Sequence, residues 1–153
     1  MSAVVAQESR LFADVVAPIL ATARRSGWTT STGDEWTHVS PPIALQRLQG
    51  WKLHVSSALP AAGALLEACC SVLIPHLTQF KFAATTQNLQ FLNGRQCPRP
   101  NAAKFITVYP ADDDAGAELA ELLHEVTREF QGPKIFSDRE YVPGSRVFYR
   151  FGA

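Results

Sequence analysis

Two short segments of the chain carry side chains that can exchange protons or hold an anion. In Trp51–Val55, which reads Trp-Lys-Leu-His-Val, an extended backbone would project Lys52 and His54 from one face of a strand. A lysine between two phenylalanines, Lys81 in Phe80–Phe82, would either point away from both rings or lie partly desolvated among them. Desolvation lowers the pKa of an amine, and a neutral lysine near pH 7 is a general base. The two segments therefore predict acid–base chemistry beside a positive charge.

The basic residues near predicted strands indicate an anionic ligand. Acidic residues cluster elsewhere, in the Asp112–Glu129 segment and at Asp34-Glu35. A sheet that gathers the basic residues would form a positive pocket suited to a dianion such as a phosphate ester. Because the formal net charge of the whole chain is zero, there is no reason to expect nucleic acid or an anionic membrane as a partner. The basic residues are Lys52, His54, Lys81, Arg95, Arg99, Lys104, Arg146 and Arg150.

The elements that position these side chains alternate between strands and helices. At 153 residues, with 46% hydrophobic and 18% charged residues, the chain has the size and composition of one soluble domain. Apolar spacing, turn residues and helix caps predict an α+β fold, a single domain in which a mixed or antiparallel sheet packs against helices. We assign residues 1–27 to an N-terminal helix and residues 28–153 to the body of the domain.

Strands are predicted where β-branched and aromatic residues end at Gly or Pro, and helices where apolar residues recur at helical spacing. The predicted strands are a short one within Trp28–Pro42, one that follows Gly50 and contains Lys52 and His54, then Phe80–Phe82, Lys104–Tyr109, Ile135–Phe136 and Val147–Phe151. The predicted helices are Val4–Arg25, Ala58–Leu77, Thr86–Leu92, and one that Asp112–Asp114 cap and that runs to about Phe130.

Cysteines and histidines give no indication of a disulfide framework or a metal site. Cys69, Cys70 and Cys97 are odd in number and the first two are adjacent, so neither disulfides nor a four-ligand zinc site is predicted. His38, His76 and His124 have no partner at ligand spacing, so we expect them to be structural or at the surface. Since neither a secretion signal nor an apolar run of about 18 residues is visible, we expect a cytoplasmic protein without a membrane partner.

A series of motifs in a fixed order is more specific than any one segment. The motifs are Gly50–Ser56, Phe80–Phe82, Leu92–Arg95 with Pro98-Arg99, Lys104–Pro110, Gly132-Pro133, Ser137–Arg139 and Tyr149–Gly152. In order and spacing the series resembles the N-terminal lyase domain of class III and class IV lanthipeptide synthetases, and the likeness covers roughly Trp36 to Ala153. That domain is in turn similar to the bacterial effector phosphothreonine lyases. The resemblance implies a phosphothreonine-lyase-like fold.

The resemblance also implies a reaction and a role for each motif residue. A phosphorylated serine or threonine of a ribosomal precursor peptide would lose phosphate by β-elimination, which gives dehydroalanine or dehydrobutyrine for later thioether ring formation in a lanthipeptide. Lys81 would remove the α-proton, and His54 would protonate the leaving phosphate oxygen. Lys52, Arg99 and Arg150 would bind the phosphate. The reaction implied in this way uses no metal and no organic cofactor.

The other polar residues near the motifs have ordinary structural interpretations beside the functional ones. Arg95, Lys104 and Arg146 are expected at the rim of the site, where each could guide an acidic phosphopeptide. Tyr109 could contact substrate, although an aromatic residue in the best strand is more often part of the core. Arg150 could pair with a carboxylate such as Asp138 instead of binding phosphate.

The expected partners are a phosphorylated precursor peptide together with kinase and cyclase domains or proteins. Members of the family continue into a kinase and a cyclase, whereas this chain stops at Ala153 and contains no glycine-rich nucleotide loop, no His-Arg-Asp and no Asp-Phe-Gly. It is expected to be either an excised domain or a separate lyase supplied by another kinase.

Two other functions compete with elimination. A non-catalytic module could keep the fold and bind a phosphorylated peptide or a leader peptide, but binding alone needs neither Lys81 as a base nor His54 as an acid. Hydrolysis of the phosphate ester is the second rival, and it is disfavoured because the sequence has neither a metal-ligand cluster nor a cysteine nucleophile motif.

Overall fold

A seven-stranded sheet organises the protein, which we describe from a computed structural model over residues 11–43 and 50–152. The strand order is β1-β2-β4-β5-β3-β7-β6, and every neighbouring pair is antiparallel. The strands are β1 (Thr29–Thr32), β2 (Trp36–Ser40), β3 (Gly50–Val55), β4 (Gln79–Ala83), β5 (Ile106–Tyr109), β6 (Arg139–Glu140) and β7 (Val147–Gly152). The helices are α1 (Ala13–Ala21), α2 (Ala62–Leu73), α3 (Thr86–Leu92) and α4 (Asp113–Thr127), and a short 3₁₀ turn, Leu59–Ala61, precedes α2. The predicted α+β fold with an antiparallel sheet is confirmed.

One face of the sheet is buried beneath helices. Phe80 and Phe82 on β4 are fully buried, as is Val108 on β5, and Leu53 on β3 is 2% exposed. Cross-strand pairing places Phe80 opposite Val108 and Val108 opposite Leu53, so these side chains project in the same direction. They form one core cluster with apolar residues of the helices, which include Val16, Leu65, Leu66, Leu119 and Leu123. The alternate residues of the same strands therefore face away from the helices.

The helices lie close to their predicted positions. The α3 helix has the predicted bounds, and Thr85 begins it with a capping box in which its hydroxyl accepts a hydrogen bond from the Asn88 backbone N–H. Asp112 caps α4 by accepting a hydrogen bond of 2.7 Å from the Ala115 N–H. The predicted N-terminal helix is present as α1, while its first residues lie outside the described ranges.

Helix α1 packs against the rest of the domain. Val16 is fully buried, and the ring of Phe12, just before the helix, lies 4.9 Å from that of Phe105. The division of the chain at residues 27 and 28 stays a prediction. No helix within residues 11–43 and 50–152 has the length and apolar character needed to cross a bilayer.

Three predicted strands differ from the observed ones. The Trp28–Pro42 segment forms two strands, because the chain turns back at Gly33, whose N–H donates to the Trp36 carbonyl. The Lys104–Tyr109 strand begins only at Ile106, after Ala103 adopts a left-handed backbone with φ 65°. The Ile135–Phe136 strand is wrong, since Phe136 is 76% exposed in a turn and the pairing strand is Arg139–Glu140 instead.

Candidate active site

The sheet register brings the three predicted reactive residues to the face opposite the helices. Lys81 on β4 lies directly across from Thr107 on β5, and Thr107 lies across from His54 on β3. Directly paired residues project to the same side of an antiparallel sheet. Lys52 joins them because it lies two residues before His54 on the same strand. Neighbouring strands are about 4.8 Å apart, so the Lys81 and His54 backbones are roughly 10 Å apart.

Lys81 is partly desolvated and points away from its two phenylalanine neighbours. Its ammonium nitrogen lies 4.3 Å from the centre of the Trp36 ring, while Phe80 and Phe82 enter the core on the other face. Burial lowers the pKa of Lys81 below its ordinary value, and the positive charges of Lys52 and Lys104 lower it further. The two interpretations that the sequence left open both hold in part. Lys81 avoids the phenylalanines and is desolvated beside a different aromatic ring.

His54 is held by a buried carboxylate that is distant in sequence. The side chain is 5% exposed, and its Nδ1 lies 2.5 Å from Oδ2 of Asp138. With the carboxylate as acceptor, Nδ1 carries a hydrogen and Nε2 is the nitrogen left for other partners. Burial lowers the pKa of His54, and the hydrogen bond and charge of Asp138 oppose this effect without overcoming it.

Asp138 also joins Lys104 to the site. Its side chain is fully buried, and Oδ1 lies 3.6 Å from the Lys104 ammonium and accepts a 3.1 Å hydrogen bond from the Ser137 hydroxyl. Burial acts to raise the pKa of Asp138, but His54, Lys104 and Ser137 together hold it below its ordinary value. Asp138 is the residue that sequence reasoning missed as a functional group. The available signal was its place in the Ser137–Arg139 motif.

Lys104 does not lie at the rim of the site, as the sequence analysis expected. It is 5% exposed, and its ammonium donates a hydrogen bond of 2.6 Å to the Pro100 carbonyl besides contacting Asp138. Burial lowers the pKa of Lys104, and the attraction of Asp138 partly offsets that effect. A contact between Lys104 and substrate stays a prediction.

Two of the predicted phosphate ligands are cross-strand neighbours. Lys52 on β3 pairs in register with Arg150 on β7, so both side chains project from the His54 face of the sheet. Lys52 is half-buried and Arg150 is exposed. The alternative partner suggested for Arg150, the Asp138 carboxylate, lies instead between His54 and Lys104. The pair forms a positively charged edge to the site beside His54.

The other predicted contact residues are more dispersed. Arg99 is exposed, and its guanidinium donates a 3.0 Å hydrogen bond to the Phe136 carbonyl, which connects its loop to the one that carries Asp138. Arg95 is exposed in the same loop as Arg99. Tyr109 is half-buried, and it lines a cavity of about 170 Å³ at the far end of β5. Burial raises the pKa of Tyr109.

Arg146 supports the loop that carries Asp138, although a rim position was expected for it. It is 9% exposed and donates hydrogen bonds of 3.1 Å to the Ser56 hydroxyl and 3.4 Å to the Pro133 carbonyl. A Cβ placed on Gly132 would lie 2.7 Å from Nη1 of Arg146 and 2.9 Å from Cα of Ser57. The close approach of this loop to Ser57, just after β3, therefore depends on a glycine at position 132.

The remaining histidines and cysteines have no part in this cluster of reactive residues, with one exception. His38 is exposed and lies directly across from Lys81 in the sheet. His76 and His124 have structural hydrogen bonds, to the Val72 carbonyl and the Ser145 hydroxyl. The cysteines Cys69, Cys70 and Cys97 are buried and unpaired with one another. Across residues 11–43 and 50–152, no group of three His, Cys, Asp or Glu side chains has the arrangement of a metal site.

Solved structures share this fold. The Shigella flexneri type III effector and phosphothreonine lyase OspF is similar with a TM-score of 0.64 and 14% identity, over 92% of this chain and 75% of OspF. The Salmonella phosphothreonine lyase effector SpvC has a TM-score of 0.62 at 15% identity, over 94% of this chain and 78% of its own. The Chromobacterium violaceum effector VirA has a TM-score of 0.57 at 20% identity, over 81% and 65% of the two chains. The predicted phosphothreonine-lyase-like fold is confirmed.

Sequence comparison identifies the family. The Streptomyces coelicolor protein described as a probable SapB synthase is 33% identical over 126 residues, which is 82% of this chain but only 13% of that protein. The family described as "RamC, N-terminal domain" matches residues 16–153, the stretch that contains every residue of the site described above. The resemblance seen in the motifs is thereby confirmed, and this chain belongs to the RamC N-terminal domain family.

Proposed function

We propose that this domain is a phosphoserine/phosphothreonine lyase of lanthipeptide biosynthesis. Its substrate is a phosphorylated ribosomal precursor peptide, and its product contains dehydroalanine or dehydrobutyrine. The single observation that carries the proposal is the placement of Lys81, His54 and Lys52 on one face of three adjacent strands, with His54 held by the buried Asp138. A base, an acid and an anion ligand are the three groups that β-elimination of phosphate requires.

The reaction balances with these groups alone. The neutral amine of Lys81 takes the α-proton of the phosphorylated residue and becomes an ammonium. The electron pair of the Cα–H bond forms the Cα=Cβ double bond, and the Cβ–O bond breaks. Phosphate leaves with that bonding pair, and Nε2 of His54 gives a proton to the departing oxygen. The separation of roughly 10 Å between the strands that carry Lys81 and His54 leaves space for the substrate residue between the two groups.

The electrostatics support Lys81 as the base. An α-proton beside an amide is weakly acidic, so the base must be neutral and close to it. Burial of Lys81 and the nearby charges of Lys52 and Lys104 both lower its pKa, which increases its neutral fraction near pH 7. The Trp36 ring favours the ammonium form, which is the form that the lysine reaches after it has taken the proton.

The acid depends on Asp138 and on the bound substrate. His54 must be protonated to act as an acid, yet burial lowers its pKa. Asp138 opposes this effect through a hydrogen bond and through its charge. A phosphate dianion bound beside Lys52 would add a second negative charge near the imidazole and would raise its pKa further. Substrate binding would therefore convert His54 into the form that the reaction needs.

The phosphate would bind along the Lys52 edge of the site. Arg150, opposite Lys52 in the sheet, is the second cation on that edge, and Arg99, which donates to the Phe136 carbonyl, would be the third phosphate ligand. Fixed cations that hold the leaving dianion stabilise the transition state as charge develops on it. A kinase that forms the phosphopeptide and a cyclase that consumes the dehydro residue would act before and after this step, on the same polypeptide or on separate proteins.

The direct test uses a phosphoserine peptide, mass spectrometry and an added thiol that traps any alkene. We expect the peptide to lose phosphoric acid and to take up the thiol, and we expect neither change with Lys81→Ala. A peptide that binds but stays intact would support a binding module instead. Recovery of unmodified serine would indicate phosphatase chemistry and would refute the proposal.

A further inference from the structure

Two adjoining cavities open beside β3 and β7, and both are lined by Trp51 and Tyr149. The first, which we call the apolar cavity, has a volume of about 280 Å³ between the helix-side face of these strands and helix α4. The second, which we call the edge cavity, has a volume of about 550 Å³ and lies where the short strand β6 pairs with β7. Neither cavity contains Lys52, His54 or Lys81 in its lining.

Aromatic residues on the sheet and small residues on the helix shape the apolar cavity. The Trp51 ring meets the rings of Tyr149 and Phe151 edge to face, with centroid distances of 5.7 and 5.2 Å. On the helix side Gly116, Ala117 and Ala120 leave the space open. A volume of about 280 Å³ is below the range of about 300–1,000 Å³ that holds whole small-molecule ligands. Asp113 and Tyr141 also line the cavity, and the aromatic and small residues around them give it a largely apolar surface that suits an apolar side chain.

The edge cavity shares lining residues with the apolar cavity and borders the residues around His54. Its lining includes Asp138, which holds His54, and Arg150, which is the cross-strand neighbour of Lys52. In the described part of the chain, β6 pairs with β7 only at Phe148 and Tyr149, so β7 extends beyond β6 from Arg150 onward. An extended peptide can therefore pass around this edge of the sheet, from one face to the other.

We propose that the apolar cavity is a substrate subsite that binds one large aliphatic or aromatic side chain of the phosphopeptide. This inference rests on the proposed lyase function and adds a specificity determinant to it. Because β7 lies between β3 and this edge, a peptide whose phosphate is bound at Lys52 must cross β7 on one face, pass around the edge and return beneath it. With about 4.8 Å for each crossing and about 10 Å between layers, the path is roughly 20 Å. An extended residue spans about 3.3–3.6 Å, so the apolar residue is expected about six positions from the phosphorylated one. Arg139 and Arg150 line the edge cavity, so acidic residues are favoured in the peptide between the phosphorylated residue and the apolar one.

The test scans a single leucine through a phosphoserine peptide of otherwise small polar residues. Fluorescence anisotropy gives Kd with the full chain, and mass spectrometry of the same peptides gives kcat and KM. We expect leucine about six positions from the phosphoserine, on one side of it, to tighten Kd about ten-fold. We expect KM to fall with Kd and kcat to stay the same. A scan in which no position improves binding would overturn the proposal.

A pair of variants tests whether the gain comes from the apolar cavity. Ala117→Trp places a large ring at the cavity from an exposed position of α4. Ala64→Trp makes the same change at an exposed position of α2, which lines neither cavity. In Ala117→Trp we expect the leucine peptide to bind no more tightly than the peptide without leucine. In Ala64→Trp we expect the ten-fold improvement in Kd to remain. An advantage that survives in Ala117→Trp refutes the cavity as its source.

Binding and turnover separate the two proposals. If none of the peptides undergoes elimination, the lyase function fails, while the Kd values still show whether the cavity selects leucine near a phosphoserine. If leucine peptides bind equally well with and without the phosphate, the cavity acts independently of the active site and the subsite proposal fails. If Kd improves only in the phosphorylated peptides and Ala117→Trp removes the gain, the proposal stands.

Discussion

The two faces of the sheet use alternate residues of the same strands for opposite purposes. On β4, Phe80 and Phe82 are fully buried against the helices, while Lys81 between them is half-buried on the other face. On β3, Leu53 joins the core while Lys52 and His54 face away from it. A change of one residue in register would exchange the two sets of side chains. The helix side supplies the burial that stabilises the fold, and the other side is left to hold reactive groups.

The face that carries Lys52, His54 and Lys81, which we call the reactive face, contributes less to stability than the opposite face, which we call the helix face. Burial and the positive charges of Lys52 and Lys104 lower the pKa of Lys81. Burial also lowers the pKa of Lys104, and the charge of Asp138 opposes that shift. Clustered like charges and buried polar groups are destabilising, whereas buried apolar side chains are stabilising. Substitutions on the reactive face should therefore change activity more than stability, and substitutions on the helix face should do the reverse.

The largest expected effect is on the reactive face. Lys81→Ala should lower the elimination rate by about 10²–10⁴-fold, because it removes the group that we propose as the base. Phosphopeptide Kd and the melting temperature should change little. Lys134→Ala, at a lysine whose side chain is 60% exposed, is the matched control. Equal losses of binding and rate in Lys81→Ala would make Lys81 a phosphate ligand instead of the base.

The second-largest effect is expected on the helix face, at Phe82, the residue that follows Lys81 on β4. Phe82→Ala should lower the free energy of unfolding by about 3–5 kcal/mol, since it removes a fully buried ring and leaves a cavity. Urea denaturation followed by tryptophan fluorescence measures the change. Phe136→Ala, at a ring that is 76% exposed, should cost far less. If both variants were equally stable, the assignment of the helix face as the stabilising face would be wrong.

A smaller effect is expected at Asp138, and it should appear in the pH profile. The proposed reaction requires protonated His54 and neutral Lys81, so kcat/KM should have a plateau between the two pKa values and should fall on either side. Asp138 raises the pKa of His54, so Asp138→Asn should lower that pKa. The acid limb should then move to lower pH and the plateau should fall by about 10–100-fold, the loss expected for one buried charged hydrogen bond.

A carboxylate on the helix side of the sheet provides the control for that experiment. Asp114 is exposed in the first turn of α4, so Asp114→Asn should leave the pH profile unchanged. An acid limb in Asp138→Asn that stays at the wild-type pH would mean that Asp138 supports the fold without tuning His54.

The smallest effect is expected for Lys52→Met. Loss of one phosphate ligand should weaken phosphopeptide binding about ten-fold, as a hydrogen bond to a charged group contributes about 1.5–3 kcal/mol. Lys52 also lowers the pKa of Lys81, so its removal should raise that pKa and move the alkaline limb of kcat/KM to higher pH. Calorimetry measures the first change and the rate profile measures the second. An unchanged Kd would remove Lys52 from the phosphate site.

Local patterns were sufficient for the elements that depend on neighbours in sequence. The bounds of α3 follow from the cap at Thr85 and the Asn93-Gly94 stop, both within one turn of the helix ends. The facing of Lys52 and His54 follows from strand alternation. Ile135–Phe136 was wrongly predicted as a strand, because its apolar residues suit a strand but no neighbouring strand pairs with them. A β-strand forms only where a neighbouring strand can pair with it, and the residues of one segment do not show whether such a neighbour exists.

The sequence by itself indicated acid–base chemistry beside a positive charge, because side-chain chemistry and alternation along a strand are local properties, and its resemblance to the lyase family implied a role for each residue. Only the tertiary structure decided that Asp138 holds His54 across 84 residues of chain, that Lys104 is buried beside them, and that Trp36 covers Lys81. The physical reason is that pKa values and hydrogen bonds depend on what surrounds a group in space. Those surroundings come from strand order and loop packing, which residue spacing does not encode.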